Sequence, residues 1–324
     1  MTLSLVKRKL GKALLGVSCL FASVCPAGDA LPAYRQQSGV AGSVNSVGSD
    51  TLNNLMAYWG EAFMAMYPNV AVQVEGKGSS TAPPVLAAGA AQIGPMSRMM
   101  KSSEIDDFEK KRGFKPTAVA VAIDCVAVYV NRDNPVEGLS LPQVDAIFSS
   151  TRKLNHDGVS VWGQLGLGGE WADRSISMYG RNAASGTYAF FKEVAMGNGD
   201  YKNSVKEQPG SAAVVNGIAG DKAGIGYSGI GYRTSEVRAL PIALKEGGAF
   251  VEPAFANAMD GSYPLARLLY VYIPRDPGKP LPAATLEFMK FILSREGQEL
   301  VERDGYGALP ADVLREQLRL IGGE

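Results

Sequence analysis

The sequence predicts an α/β protein of two domains, and three observations support this prediction. The chain has 324 residues, more than one typical domain, and 46% of them are hydrophobic, which is enough for two cores. Strand-like and helix-like apolar patterns alternate along it, joined by short turns rich in glycine and hydroxyl residues. An apolar run over residues 119–131 is longer than a usual strand, so we interpret it as a strand that passes from one domain to the next.

The individual elements are predicted from the period of their apolar residues. Residues 43–48 read as a strand, Ser49 to Thr51 as a helix cap, and residues 52–67 as an amphipathic helix. Further strands are predicted at residues 70–75, 91–94, 119–131, 176–179 and 268–273, and further helices from residues 83, 187 and 211, at residues 141–148, and as one long helix over residues 283–304. Residues 224–229 match G-x-G-x-x-G by letter, but they alternate as a strand and lack a following amphipathic helix, so no dinucleotide site is expected.

Residues 1–27 have the pattern of a secretory signal peptide. Four basic residues between positions 7 and 12 precede an apolar run over residues 13–24, and small residues follow. The run is shorter than the ~20 apolar residues of a membrane span. The sequence therefore predicts an exported, soluble protein. A lipoprotein anchor at Cys19 or Cys25 fits less well, because the residues before each cysteine match a lipobox poorly.

Composition and charge argue against several classes of function. Without the predicted signal peptide, the chain keeps 28 basic residues against 32 acidic ones, and no cluster of Lys and Arg follows, which disfavours nucleic-acid binding. Cys125 is then the only cysteine, which excludes an intramolecular disulfide and a cysteine-based structural zinc site. The only histidine, His156, lies in a polar loop, and no motif for a catalytic nucleophile is present. We therefore expect no enzyme activity, no cofactor and no metal site.

The stretch from residue 176 to residue 193 predicts a strand, a turn and a helix that together suit an anion. The helix begins near Thr187, so Ser185, Gly186 and Thr187 lie where free N–H groups and the positive end of the helix dipole attract negative charge. Arg181, at the end of the strand, can add two charge-assisted hydrogen bonds. The same pattern also fits an ordinary N-cap and a surface arginine, and the stretch alone leaves both interpretations open.

Three more turns in the first half of the chain follow strands and carry hydroxyl groups. They lie at residues 48–51, 78–81 and 94–98. Each turn alone is better explained as a helix cap than as a ligand site. In an open α/β sheet, however, the loops at the carboxyl ends of the strands converge on one crevice, so four such turns can surround a single small ligand.

Asp124 is an acid inside the apolar run over residues 119–131. A buried carboxylate is costly unless it is hydrogen-bonded. Asp124 is therefore either paired structurally or presented at a site, and both interpretations remain open.

The turns and Asp124 form an ordered set. In order along the chain stand Gly-Ser-Asp-Thr at residues 48–51, Gly-Ser-Ser-Thr at residues 78–81, Ile-Gly-Pro-Met-Ser-Arg at residues 93–98, Ala-Ile-Asp at residues 122–124, and Arg181-x-x-x-Ser185-Gly186-Thr187. This set resembles the phosphate-binding periplasmic proteins of ABC importers, the PstS-like family, over about residues 44–310. There are departures: Asp50 stands where many members have a serine or threonine, and Gln92 replaces a usual acid.

The resemblance implies a type II periplasmic-binding-protein fold, in which two α/β lobes are joined by two crossing strands and the ion lies in the cleft between them. Lobe I is expected over residues 40–123 and 233–324, and lobe II over residues 124–232. The expected ligand contacts, carried over by position, are Ser49, Asp50, Thr51, Ser79, Ser80, Ser97, Arg98, Asp124, Arg181, Ser185, Gly186 and Thr187.

The function that the resemblance implies is that of a monomeric periplasmic receptor, which captures inorganic phosphate and delivers it to an ABC permease. Phosphate at neutral pH keeps a proton, so a carboxylate among the donors would accept that proton and repel fully deprotonated sulfate. Asp124 is the first choice for this carboxylate and Asp50 the second. The nearest alternative is a receptor for another tetrahedral oxyanion such as sulfate, molybdate or tungstate. An exported phosphatase would need a nucleophile and usually metal ligands, and it fits less well because the sequence has one histidine and no evident carboxylate cluster.

Overall fold

The computed structural model describes residues 31–323, so the predicted signal peptide lies outside the described residues. Within residues 31–323, no helix is both long enough and apolar enough to cross a membrane. The strands are β1 (Gly42–Gly48), β2 (Val70–Gly76), β3 (Gly94–Met96), β4 (Thr117–Asn131), β5 (Leu139–Ser140), β6 (Ser177–Arg181), β7 (Lys206–Gln208), β8 (Gly224–Gly229), β9 (Val237–Leu240), β10 (Ile242–Ala243) and β11 (Ala266–Ile273). The α-helices are α1 (Asn53–Met66), α2 (Ala82–Ala88), α3 (Ser102–Arg112), α4 (Leu141–Phe148), α5 (Gly186–Ala195), α6 (Ser211–Ala219), α7 (Phe255–Asp260), α8 (Ala283–Ile292), α9 (Arg295–Arg303) and α10 (Ala311–Ile321).

Strand β4 joins two halves of the molecule. The first half contains β1 to β3 and β11, and the second half contains β5 to β10. From Thr117 to Cys125 it pairs antiparallel with β11, which also pairs with β3. From Val126 onward it pairs antiparallel with β8 on one side and, near its end, with β9 on the other, and β8 continues to β6 and β7. The strand is buried from Val119 to Asn131, which explains its almost unbroken apolar sequence. The prediction of one long strand over residues 119–131 is therefore confirmed.

Aromatic side chains pack closely in both halves. In the first half, α1 buries Trp59 and Phe63, and Phe63 packs on Phe288 with ring centroids 5.1 Å apart. In the second half, Phe191 of α5 stacks on Tyr227 of β8 at 3.8 Å. Each such buried side chain contributes about 1.5–3 kcal/mol through loss of apolar surface from water. The stack of Phe191 on Tyr227 fixes helix α5 against the sheet, and the N-terminus of α5 is part of the site described below.

Strand pairing places residues 237–243 with the second half. Strand β9 pairs with residues 128–131 of β4, and β10 pairs with β5, which directly precedes α4. From the sequence, these residues are expected in lobe I, because the chain is expected to return to lobe I at residue 233. In the structure the chain first meets the sheet of the first half again at β11, from Ala266 onward.

The prediction of one long helix over residues 283–304 is wrong. The structure has two helices there, α8 and α9. Ser294 separates them, and its hydroxyl accepts a hydrogen bond from the N–H of Gly297 at 3.2 Å, which caps the second helix. A Cβ atom at Gly297 would overlap the carbonyl oxygen of Phe291. The tight turn between the helices therefore requires glycine, a constraint that the apolar period does not show.

Candidate anion site

Four strands end at one place between the two halves, and the turns that follow them bring their hydroxyl groups together. Ser97 lies 3.1 Å from Ser49 and 3.2 Å from Ser79, measured between the Oγ atoms. Thr51 of the first half lies 2.9 Å from Thr187 of the second half, between their Oγ1 atoms. All five side chains are buried. We call these residues, Ser49, Thr51, Ser79, Ser97 and Thr187, the hydroxyl cluster.

The N-terminus of helix α5 points at the hydroxyl cluster. Ser185 is the N-cap, and its Oγ accepts hydrogen bonds from the N–H groups of Thr187 at 3.1 Å and Tyr188 at 3.3 Å. A Cβ atom at Gly186 would overlap the hydroxyl of Ser79 and lie 2.6 Å from that of Ser97. Glycine at this position therefore lets the positive end of the helix approach the cluster closely.

Asp124 is paired with Arg267, a residue that the sequence analysis missed. The two residues are direct partners on the neighbouring strands β4 and β11. Arg267 donates to Oδ2 of Asp124 from Nε at 2.9 Å and from Nη2 at 2.7 Å, and the N–H of Ile230 donates to Oδ1 at 3.1 Å. The side chains of Arg267 and Asp124 are 4% and 0% exposed, so both charges are removed from water and each is stabilised by the other.

Arg267 also connects this pair to the hydroxyl cluster. Its Nη2 donates to Oγ1 of Thr187 at 2.9 Å, and its Nη1 donates to the carbonyl oxygen of Ser97 at 2.9 Å. A buried guanidinium that contacts both halves of the cluster is a strong donor for an oxyanion. Through this guanidinium, Asp124 is linked to the hydroxyl cluster.

Asp50 and Arg181, both predicted ligand contacts, are paired with each other. Oδ2 of Asp50 lies 3.1 Å from Nη1 of Arg181 and accepts a hydrogen bond from the N–H of Ser211 at 2.7 Å. Arg181 donates further to Oγ of Ser211 at 2.7 Å and to the carbonyl oxygen of Pro209 at 3.3 Å. Burial lowers the pKa of Arg181, and the nearby Asp50 carboxylate opposes this effect, so the guanidinium stays charged.

Ser80 and Arg98 lie at the rim of the site. Arg98 forms a two-pronged ion pair with Glu104, with N–O distances of 2.7 and 2.6 Å, and donates to Oγ of Ser80 at 3.2 Å. The two residues line a cavity of about 780 Å³ between the halves, which also reaches Ser97 and Arg267. The structure therefore places Ser80 and Arg98 beside the hydroxyl cluster without a hydrogen bond from Arg98 to its members.

Two tyrosines that the sequence analysis also missed hold the turn at residues 50–51. The hydroxyl of Tyr232 donates to the carbonyl oxygen of Asp50, and that of Tyr306 to the carbonyl oxygen of Thr51, both at 2.8 Å. Burial raises the pKa of both phenols, so both remain protonated donors. They fix the backbone that presents Thr51 to the cluster.

The geometry offers many donors in a small space and two buried cations, each neutralised by its own aspartate. Within residues 31–323, no group of three His, Cys, Asp or Glu side chains is placed to hold a metal ion. Hydroxyl groups, a helix N-terminus and a guanidinium around one point suit a small oxyanion.

Comparison with known proteins gives one consistent family. The family model of the PBP superfamily domain matches residues 33–296. The phosphate-binding protein PstS of Pseudomonas aeruginosa PAO1 is 50% identical over 309 residues, which cover 95% of this chain and 95% of that protein. PstS of Staphylococcus epidermidis RP62A is 28% identical over 95% of this chain and 91% of its own length.

Solved structures show the same fold. A substrate-binding protein from Clostridium perfringens with bound phosphate superposes with a TM-score of 0.70 at 25% identity, over 83% of this chain and 100% of that one. An ABC-type phosphate transport receptor from Vibrio cholerae gives a TM-score of 0.64 at 23% identity, over 82% and 100%. The expected type II binding-protein fold is therefore confirmed, and the chain belongs to the PstS family within the PBP superfamily.

Proposed function

We propose that this protein is an extracytoplasmic receptor that binds inorganic phosphate between its two lobes and passes it to an ABC-type permease. The observation that carries the proposal is the hydroxyl cluster at the N-terminus of α5, with the guanidinium of Arg267 bonded to Thr187. The relatives that match over most of the chain are named as phosphate-binding proteins and not as enzymes. A periplasmic location and a monomeric state are part of the proposal.

Charge balance at the site favours an anion bound through donors and dipoles. Arg267 is neutralised by Asp124, and Arg181 by Asp50, so the buried pairs carry no net charge of their own. An added oxyanion would be stabilised by hydroxyl groups and by the N-terminus of α5, which hold fixed partial charges away from water. This explains how a chain that is slightly acidic without its predicted signal peptide can bind an anion.

We assign the ligand contacts to the hydroxyl cluster, Gly186, Arg267 and Asp124, with Ser185 as the cap that orders the helix end. From the sequence, Asp124 is the first choice to accept the phosphate proton. Its Oδ2 takes two bonds from Arg267, while its Oδ1 takes one bond, from Ile230, and has a second lone pair that can accept another donor. We therefore keep Asp124 as the proton acceptor and add a second role, the orientation of Arg267.

The test is a calorimetric titration of the phosphate-free protein with phosphate, sulfate and molybdate at fixed pH and salt. We expect phosphate to bind at least about 100-fold more tightly than sulfate, because burying an acceptor against a ligand that has no proton costs a few kcal/mol. Stronger binding of sulfate or molybdate would support the alternative oxyanion receptor. Release of phosphate from an ester by the protein would support the phosphatase alternative.

A matched pair of threonine variants tests the site itself. Thr187→Val removes a hydroxyl of the cluster and should weaken phosphate binding by about tenfold or more. Thr285→Val removes a hydroxyl that is also buried but has no hydrogen-bond partner within residues 31–323. The phosphate affinity of this variant should therefore stay at the wild-type value. Equal affinities for the two variants would contradict the assignment.

A further inference from the structure

We infer that Asp50 is a latch between the lobes, which holds the closed form by capping a helix of the opposite lobe, and that it is not a phosphate ligand. This inference rests on the proposed function, because it assigns to Asp50 the closure of that same site. Asp50 follows β1, in the first half of the molecule. Within residues 31–323, the ion pair and the hydrogen bond of its carboxylate are both with the second half, with Arg181 and Ser211.

The carboxylate of Asp50 occupies the N-terminus of helix α6. The N-cap of this helix is Gly210, which has no side chain to accept a hydrogen bond from the first turn. Oδ2 of Asp50 takes this place and accepts the N–H of Ser211, the first residue of the helix, at 2.7 Å. A Cβ atom at position 210 would lie 2.9 Å from Oδ1, so the missing side chain also makes room for the carboxylate. One lobe thus supplies the cap for a helix of the other.

Arg181 strengthens the same contact. Its Nη1 lies 3.1 Å from Oδ2 of Asp50 and donates to Oγ of Ser211, so the guanidinium, the carboxylate and the helix end form one buried unit. Arg181 is 2% exposed, and it comes from the end of β6 in the second half. Separation of the lobes would leave Arg181 without its carboxylate and the helix without its cap. The contact therefore favours the closed form.

Closure and ligand binding share the turn that carries Asp50. Its neighbours Ser49 and Thr51 belong to the hydroxyl cluster, and Tyr232 holds the carbonyl oxygen of Asp50 at 2.8 Å. When Asp50 docks on α6, Thr51 is brought within 2.9 Å of Thr187. Asp50 is thus a positioning residue, and its loss should lower phosphate affinity by opening the lobes.

The experiment compares phosphate affinity and X-ray scattering of the wild type, Asp50→Ala, Asp50→Asn and the control Asp107→Asn, an exposed acid on α3. We expect Asp50→Ala to bind phosphate about 10- to 100-fold more weakly and to show a larger radius of gyration at subsaturating phosphate. Formate should restore part of the affinity in Asp50→Ala, because it replaces the missing carboxylate at α6 and Arg181. Formate should give no gain in the wild type or in Asp107→Asn.

Several results would overturn the inference. Wild-type affinity and scattering in Asp50→Ala would do so, as would a loss of affinity that formate does not restore. If Asp50→Ala does not fold, Asp50→Asn decides, since it keeps an acceptor for Ser211 but loses the ion pair; an unchanged affinity there would also reject the latch. A wild type that fails to bind phosphate would instead reject the proposed function, so the two failures are distinguishable.

Discussion

The molecule contains two buried arginine–aspartate pairs that differ in what they join. Arg267 and Asp124 are neighbours across two strands of one sheet, so the sheet register holds them together whether or not the lobes move. Arg181 and Asp50 come from opposite lobes, and in the proposed latch their 3.1 Å contact forms when the lobes close. The first pair is therefore preorganised, whereas the proposed latch forms the second pair through a conformational change.

We propose different roles for the two pairs, ligand binding for one and lobe closure for the other. A preorganised cation next to the hydroxyl cluster can bind the ligand directly, because its side chain is already ordered and no further ordering free energy opposes binding. A pair that forms on closure can instead couple binding to the shape of the receptor, which a permease could recognise. In this proposal, the same two residue types serve ligand binding in one place and lobe closure in the other.

The largest expected effect comes from breaking the pair within the sheet. Arg267→Ala leaves Asp124 buried without its cation, which should cost about 3–5 kcal/mol of stability, and it also removes the proposed ligand contact. We expect no phosphate binding in the concentration range of the wild type, and a lower melting temperature without ligand. Calorimetry and thermal unfolding measure the two effects.

Two further variants separate binding from folding in that prediction. Arg267→Lys keeps a charge beside Asp124 but loses the planar fork, so it should fold and still bind weakly. Arg132→Ala breaks an exposed pair with Glu236, where both side chains are at least half exposed, and should change stability by less than about 1 kcal/mol. Tight binding by a folded Arg267→Lys would show that the fork of Arg267 is not a ligand contact.

A smaller effect is expected from the pair between the lobes. Arg181→Ala should weaken phosphate binding by about 2–5 kcal/mol at most, with little change in the fold, because it removes a charge-assisted contact of the closed form. In the double variant with Asp50→Ala, the two losses should not add, since each change already breaks the same contact. Additive losses, measured by calorimetry on all four proteins, would place Arg181 on the ligand instead.

The third prediction asks whether Asp124 sets selectivity. Asp124→Asn replaces an obligate acceptor with a group that also donates, so phosphate affinity should fall and the preference for phosphate over sulfate should shrink by about tenfold or more. A purely structural Asp124 would lower the melting temperature and leave the ratio unchanged. The ratio of the two dissociation constants, at fixed pH and salt, decides between these outcomes.

Much of the site could be predicted from the sequence because turns after strands have a local signature. Ser49, Ser79 and Ser97 each follow a strand end, and sheet geometry alone brings such turns together. Gly186 and Ser185 are recognisable as a helix start. These features depend on neighbours in sequence, so one chain is enough to find them.

The partners of the charged residues could not be assigned in the same way. Asp124 and Arg267 are 143 residues apart in the chain, and only the register of β4 and β11 makes them neighbours. A signal was present, because an arginine within the apolar strand β11 and an acid within β4 each need a buried partner. The placement of Asp50 against Arg181 depends on how the lobes close, and no local pattern in the sequence carries that information.

The last and smallest prediction concerns an acid without such a partner. Asp304, at the C-terminus of α9, has its pKa raised to about 7 by burial, and within residues 31–323 no ion pair of Asp304 compensates for it. The folded state therefore holds the proton more tightly than the unfolded state, whose carboxyl has its ordinary pKa near 4. Stability should fall as the pH rises from about 4 to about 7 and then level off, because the unfolded state ionises first.

Asp304→Asn removes this titration while keeping the size of the side chain. The variant should gain little over the wild type at pH 4 and should gain melting temperature as the pH rises, up to a plateau above pH 7. The gain should be on the order of 1 kcal/mol, because the carboxyl is only partly buried and solvent screens it. Thermal unfolding of both proteins from pH 4 to pH 8, with the exposed Asp107→Asn as control, measures the difference. A gain that is equal at all pH values would mean that ionisation of Asp304 does not limit stability, and the contrast between paired and unpaired buried acids would then fail for this residue.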